Sequence, residues 1–287
     1  MSEDAITTEP VFWPLAHGRS LTLGPQAVVM GIVNVTPDSF SDGGLFDNRD
    51  AAVEAALAME AQGAAIVDIG GESTRPGAGA VDAETEQSRV LPVIAALARR
   101  SDVLISVDTY RAETARRAIA AGAHIINDIW GLQHDPEMAA AIVESGAGAV
   151  LMHNSRARAL EADLIEDQRV FLQRSLAIAR AAGLGTDRIV LDPGFGFGKE
   201  TAAVNLELAA RFGELHALGR PLLAGTSRKR FIGHVTGREP GARGAGTAAT
   251  SVFLRMKGAA VFRVHDVAIN VDALKMVDAM LAARPQR

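Results

Sequence analysis

A (β/α)8 TIM barrel, an α/β fold, is the architecture this sequence predicts, on two observations: a repeated unit and the count of its copies. EAQGAAIVDIGG, IAAGAHIINDIW, VESGAGAVLMHN and RMKGAAVFRVHD share one layout. Each leaves an Ala-rich helical stretch, passes a glycine (Gly63, Gly122, Gly146, Gly258), runs through apolar residues and stops on a polar side chain. Glycine after a helix is the expected terminator, and a short apolar run without alternation suits a strand buried on both faces. ARAAGLGTDRIVLDPG and HALGRPLLAGTSRK are looser copies of the same unit. A doubly wound open sheet is the alternative, but its glycine-rich first turn is missing.

The strands follow in order: VVMGIVNV at 28–35, AIVDIG at 65–70, LISVD at 104–108, IINDI at 125–129, AVLMH at 149–153, IVLD at 189–192, LLAG at 222–225 and VFRV at 261–264. Helical patterns fill the gaps at 51–62, 84–100, 112–121, 136–145, 160–182, 202–218, 242–257 and 267–283. Eight such pairs suffice to close a barrel. No low-complexity linker interrupts them, so residues 28–287 are expected to form one domain. Residues 1–27, with Trp13-Pro14 and Gly24-Pro25, read as an extension whose short strand or hairpin closes the barrel floor.

Bulk properties narrow the function. With 287 residues, 48% hydrophobic and 22% charged, the chain has the composition of a soluble protein with a sizeable core. The lack of cysteine excludes disulfides and thiolate metal sites and fits a reducing cytoplasm, the expected location. MSEDAITTEP is acidic and offers neither the basic nor the apolar region of a signal peptide. No apolar stretch approaches the ~20 residues of a membrane span. A net charge of −5 argues against a nucleic-acid surface.

LDPGFGFGK, residues 191–199, imitates a nucleotide loop and fails on spacing. A P-loop needs four residues between its glycines and a Ser or Thr after the lysine, whereas Glu200 follows Lys199 here. Gly194, Gly196 and Gly198 read G-x-G-x-G, which misses the dinucleotide fingerprint too. A barrel gives the acid another purpose. The C-terminal strand ends meet at one mouth, the seat of chemistry in this fold. In order, that ring holds Asn34, Asp68, Asp108, Asn127, His153, Asp192, Gly225-Thr226-Ser227, Arg263 and His265. One aspartate at a strand end is ordinarily a cap or an ion pair, and His153 reads as a hydrogen-bonded barrel histidine. Co-location of many such groups is what points to a ligand. Two long loops border the mouth: NVTPDSFSDGGLFDN presents Asp38, Ser39, Ser41 and Asp42, and ESTRPGAGAVDAETE holds Thr74, Arg75 and Pro76. Their length and glycines suit lids.

MGIVNVTPDSFSDGG, DIGGESTRPGA, ISVDT, INDI, LMH, LDPGFGFGK, AGTSRKRFIG and FRVHDV, taken in order across 30–266, resemble the dihydropteroate synthase family. The resemblance implies a magnesium-using barrel, usually a homodimer, that joins 6-hydroxymethyl-7,8-dihydropterin pyrophosphate to 4-aminobenzoate in folate synthesis and is inhibited by sulfonamides. It implies that Asn34 is a metal ligand joined by Asp42 when the first loop closes. Asp108, Asn127, Asp192 and Lys229 resemble the pterin-binding set. Thr74, Arg263 and His265 match the pyrophosphate contacts, and Arg75, Pro76, Phe197 and Ser227 match the aminobenzoate side. Asp42, Lys229, Arg263 and His265 are the implied catalytic group. The resemblance brings no nucleic-acid or membrane partner. After LMH the chain reads NSRARALEADL, where the family typically has a Gly- and Pro-containing turn, so another loop shape is expected there.

Three rival readings compete with this one. A corrinoid/folate methyltransferase on a similar pterin barrel has no use for Arg75 or an Arg263–His265 anion pair. A class I aldolase needs a buried lysine of lowered pKa, and Lys199 and Lys229 both follow polar loop residues. A non-catalytic pterin-binding paralogue would show lost positions, and none of the matched ones is lost.

Overall fold

The computed structural model describes residues 9–36, 45–72, 79, 81–156 and 158–283, with the side chains of 45–48 set apart from that description. Two short antiparallel strands come first, β1 (Val11–Pro14) and β2 (Ser20–Leu23). Eight parallel strands follow: β3 (Val28–Asn34), β4 (Ile66–Gly70), β5 (Leu104–Asp108), β6 (Ile125–Asp128), β7 (Gly148–Met152), β8 (Ile189–Asp192), β9 (Leu223–Ala224) and β10 (Val261–Val264). Their order is β8-β7-β6-β5-β4-β3-β10-β9. A parallel bridge from Leu191 to Leu222 joins the two ends, so the ring is the TIM barrel expected.

Helices alternate with these strands: α1 (Leu45–Ala61), α2 (Ala83–Ala98), α3 (Ala112–Ala120), α4 (Met138–Ser145), α5 (Leu164–Ala181), α6 (Ala202–Ala210), α7 (Arg230–Thr236), α8 (Gly244–Met256) and α9 (Val267–Ala282). Gly63, Gly122, Gly146 and Gly258, the junctions of the repeat, all take positive φ. Four details differ from the sequence pattern. α1 begins at Leu45, six residues ahead of the expected 51. α5 begins at Leu164 instead of 160, because the Asp163 carboxylate caps it by accepting from the N–H groups of Ile165 and Glu166, each at 2.9 Å. The helix expected over 202–218 ends at Ala210 and continues as a 3-10 turn, Phe212–Leu218, with Gly213 inside. α7 was not foreseen; it is short and carries Gly233 mid-helix. Among the described residues no helix is long and apolar enough to cross a membrane.

Strand alternation sorts side chains between two cores. Val67, Ile69, Ile105, Val107, Ile126, Ala149 and Leu191 face outward, in the cluster shared with the helices. Met30, Ile66, Leu104, Ile125, Val150, Val190, Leu223 and Val261 point into the barrel, where Trp13, Leu15 and Leu23 of the N-terminal hairpin complete their cluster. Trp13 is 1% exposed, and its indole Nε1 donates to the Arg188 carbonyl at 2.8 Å. The hairpin therefore closes the floor and leaves the opposite mouth open.

Candidate active site

One strand step, two residues, separates this apolar floor from a polar layer. Ile66 gives way to Asp68, Leu104 to Ser106 and then Asp108, Ile125 to Asn127, Val190 to Asp192, and Val261 to Arg263. Because the period along a strand is two, these residues point the same way as their apolar predecessors, into the barrel toward its C-terminal mouth. The register agrees: Asp68 pairs with Ser106, and Asp108 with Asn127.

Arg263 ties the layer together. Its Nε donates to Asp68 Oδ2 at 2.6 Å and its Nη2 to Asp108 Oδ2 at 2.7 Å. Asn127 Nδ2 donates to the same Asp68 oxygen at 3.1 Å. Two carboxylates thus share one guanidinium, leaving a negative charge in excess. Burial presses that excess onto Asp108, whose pKa rises to about 7 although Arg263 pulls it down and Asp68 pushes it further up. Burial also works against the charge of Arg263, but Asp68 and Asp108 more than offset it and hold the guanidinium above its ordinary value. Asp68 Oδ1 and Ser106 Oγ are buried with no hydrogen-bond partner, so this layer has unused accepting capacity.

Across the mouth, Asp192 is raised by burial and lowered by Lys229, and its Oδ1 accepts from the Gly194 N–H at 2.7 Å. A Cβ on Gly225 would lie 3.6 Å from its Oδ2, so the seventh strand end leaves that oxygen room. The glycines of LDPGFGFGK are required by space as well as by φ. Gly194 (φ +64) would set a Cβ 2.1 Å from the His153 carbonyl, and Gly198 (φ +70) 2.4 Å from Ser155 Oγ. Phe197 in that loop has the Lys229 ammonium 4.9 Å from its ring centre and the Arg156 guanidinium at 4.2 Å. Lys229 Nζ donates to the Phe195 carbonyl, and burial lowers its pKa while Asp192 opposes. Ser227 accepts the His265 backbone N–H at 3.0 Å, with His265 Nδ1 also 3.0 Å away.

Asn34 ends β3 beside a hollow of about 200 Å³ that it shares with Met59, Arg228 and His265. A Cβ on Gly70 would meet Asn34 Oδ1 and Asp108 Oδ2 at 3.8 Å each, which brings the two side chains to one spot on the rim. Among the described residues no group of three His, Cys, Asp or Glu could hold a metal. A neutral amide oxygen does not retain a divalent cation by itself, so this donor set fits a hard cation that arrives with phosphate oxygens.

The mouth therefore assembles Asn34, Asp108, Asn127, Asp192, Lys229, Arg263 and His265, with Ser227 and Phe197 beside them. Asp42, Thr74, Arg75 and Pro76, like Asp38, Ser39 and Ser41, lie outside the described residues. Both flanks of the second loop are nevertheless anchored: Arg111 donates to Glu72 Oε2 at 2.9 Å, to Glu86 Oε2 at 3.0 Å and to the Val81 carbonyl. Sequence reasoning missed Arg228, a non-glycine residue at φ 57 that lines the hollow, and the part Asp68 has in holding both Arg263 and Asn127. The basic run SRKR was the available signal for the first. Sequence reasoning also misjudged both lysines: Lys199 is 1% exposed, and burial lowers the pKa of Lys199 and of Lys229 alike to about 7. What speaks against a Schiff base at Lys199 is its hydrogen bonding, with Nζ donating to the carbonyls of Gly194 and Phe197 and lying 2.9 Å from His153 Nδ1.

Comparison with known proteins agrees with this geometry. The family model described as pterin binding enzyme matches residues 30–265. The dihydropteroate synthase of Bacillus subtilis (strain 168) is 48% identical over 262 residues, covering 91% of this chain and 91% of that protein. The Xanthomonas albilineans dihydropteroate synthase solved with 4-aminobenzoic acid is 45% identical with a TM-score of 0.89, covering 95% of this chain and 99% of that one. The Yersinia pestis enzyme in a sulfonamide drug complex is 43% identical with a TM-score of 0.86, covering 94% and 98%.

Proposed function

Because this chain belongs to the dihydropteroate synthase family of pterin-binding enzymes, we propose that its barrel mouth joins 6-hydroxymethyl-7,8-dihydropterin pyrophosphate to 4-aminobenzoate, a transferase step of folate biosynthesis. The reading rests above all on one arrangement: Arg263 bridging Asp68 and Asp108 in a polar layer that also holds Asn127 and Asp192. A bicyclic ring with an amidine-like edge needs a carboxylate that accepts two parallel N–H groups and a neighbour that both donates and accepts. Asp192 and Asn127 are of those types. Asp108 accepts from a further ring N–H, and Lys229 donates to a ring acceptor from above.

The bond to be broken joins the exocyclic CH₂ to pyrophosphate oxygen. C–O cleavage runs ahead of C–N formation, and the electron-rich dihydropterin spreads the positive charge on its CH₂. Arg263, His265 and Thr74 meet the departing pyrophosphate, whose charge is concentrated. Magnesium, when bound, would be held by Asn34 and Asp42 and would supply electrostatic stabilisation of the leaving group. Arg75, Pro76, Phe197 and Ser227 orient the aminobenzoate so that its amine faces the CH₂, and the two loops keep water from competing. No covalent enzyme intermediate is involved. A cytoplasmic setting fits a chain without cysteine. The protein acts as a homodimer in this reading, which the exposed Phe253, Met256, Ile269, Met276 and Met280 of α8 and α9 support.

The test is direct. Purified protein with the dihydropterin pyrophosphate, 4-aminobenzoate and Mg²⁺ should yield dihydropteroate and pyrophosphate by mass spectrometry, with sulfonamides competing against aminobenzoate. Pterin binding without product would leave only a binding protein. Methyl transfer to an added cobalamin, seen by absorbance, would favour the methyltransferase instead.

A further inference from the structure

The lysine of LDPGFGFGK is buried, and its surroundings form a chain of polar groups reaching away from the mouth. Lys199 Nζ donates to the Gly194 carbonyl at 2.9 Å and the Phe197 carbonyl at 3.2 Å, and lies 2.9 Å from His153 Nδ1. His153, fully buried, turns its Nε2 to Asp167 Oδ2 at 2.8 Å. An ionised aspartate only accepts, so Nε2 carries the imidazole proton and Nδ1 accepts from the ammonium. Burial lowers the His153 pKa to about 4, which keeps the ring neutral. Lys199 and Asp167 are therefore opposite charges joined through a neutral imidazole, and Arg158 caps the far side of Asp167.

The loop is wound around this ammonium. Gly194, whose carbonyl Lys199 holds, gives its N–H to Asp192 Oδ1 at 2.7 Å. Phe197, whose carbonyl Lys199 and Ser155 Oγ share, presents its ring to Lys229. Asn205 of α6 fastens the remainder, accepting from the Gly196 N–H and donating to the Lys199 carbonyl, both at 2.8 Å. An ammonium has three N–H donors and uses all of them here, whereas a neutral amine has two and no charge.

We propose that Lys199 is a positioning residue: its ammonium, balanced by Asp167 through His153, holds the loop so that the Phe197 ring is set for the arylamine substrate. This deepens the reading that Phe197 lies on the aminobenzoate side, and rests on it. The groups facing the ammonium are Lys229, which lowers its pKa, Asp192 and Asp167, which raise it, Arg158, which lowers it, and His153 in direct contact; burial outweighs them all and brings it to about 7. The hold on Phe197 then weakens as pH rises past neutrality.

Three variants test it: Lys199→Met, Asp167→Asn and Phe197→Ala. Lys199→Met should raise the aminobenzoate KM about tenfold, the scale of a lost charge-assisted hydrogen bond, and leave the Kd of the dihydropterin pyrophosphate within about twofold. Asp167→Asn removes the counter-charge and should shift the alkaline limb of kcat/KM for aminobenzoate about one unit toward acid. Phe197→Ala should raise the same KM. If it does so while Lys199→Met leaves KM unchanged, the positioning role is wrong. Equal losses for both substrates also overturn that role, since they mark general loosening. An unchanged KM in Phe197→Ala overturns the reading of the aminobenzoate side itself. Should Lys199→Met fail to fold, the pH profile of Asp167→Asn decides: a shifted limb supports the proposal and an unmoved one ends it.

Discussion

Asp192 and Lys199 lie seven residues apart in one loop and face opposite fates. Asp192 ends an inward-pointing strand position, so period-two alternation on an apolar run is enough to aim it at the mouth. Asn127, Asp108 and Arg263 were legible for the same reason. Lys199 was not, because its burial depends on His153 and Asp167, more than thirty residues away in sequence. The partnership of Arg263 with both Asp68 and Asp108 was hidden likewise, since no local pattern states which side chain a neighbouring strand supplies. At Asp192, substitution by Asn keeps the shape and removes the charge that accepts N–H groups. Binding of the dihydropterin pyrophosphate should weaken by about 1.5–3 kcal/mol, roughly 10- to 150-fold, and unchanged calorimetric affinity would remove Asp192 from the pterin contacts. His153 governs a second outcome. Its folded pKa, about 4, is below the ordinary ~6.5, so the unfolded chain takes up a proton first as pH falls. The stability it contributes is complete above about 6.5 and declines toward 4, by roughly 2 kcal/mol at pH 5. Asp108 and Asp128, with pKa values raised by burial, act the other way over this range, so the measurement is a difference: the thermal midpoint should fall more between pH 7 and pH 5 in the native chain than in His153→Gln, and equal changes would show that the folded imidazole titrates at its ordinary value.

Elements were read best where burial on two faces left a continuous apolar run, as in β3 to β8 and β10. Boundaries were read worst where a side chain decides them. Asp163 delays α5 because its carboxylate supplies the orphan N–H groups of the first turn. Phe212 leaves the helical pattern to stack near Phe195, ring centres 6.5 Å apart, and the chain tightens into a 3-10 turn. The N-terminal hairpin was visible only as Pro and Gly punctuation around Trp13, yet its packing has a clear consequence. Trp13 fills the floor, and the mouth lies at the other end of the strands. Trp13→Ala removes a large buried ring and an indole hydrogen bond, at a cost of about 3–5 kcal/mol. The thermal midpoint should fall by roughly 6–15 °C, while KM for both substrates in the folded fraction stays as it was. A raised KM with an unchanged midpoint would mean the hairpin acts on the site and not on the floor.

The molecule as a whole is a barrel whose outer surface is not uniformly polar. On α8, Phe253 (44% exposed) and Met256 (46%) are three residues apart and share a face. On α9, Ile269 (43%), Met276 (61%) and Met280 (56%) recur at spacings of seven and four, again one face. The two helices pack together, and a Cβ on Gly244 at the start of α8 would touch Ile269 at 3.4 Å, so both exposed stripes belong to the same side of the barrel. Large apolar side chains gathered on neighbouring helices are costly in water and favour association, and a twofold axis lets one stripe cover its own copy. The expected solution species sediments at twice the 30.1 kDa of the chain. Met276→Asp, alone or with Phe253→Asp, would bring a buried, unpaired carboxylate to the axis twice over and should shift the species to the monomer at micromolar concentration. Because neither residue touches the polar layer, the monomer should keep its Kd for the dihydropterin pyrophosphate. A variant that still sediments as a dimer would put the contact surface elsewhere on the barrel, and a monomeric wild-type chain would remove the dimer altogether.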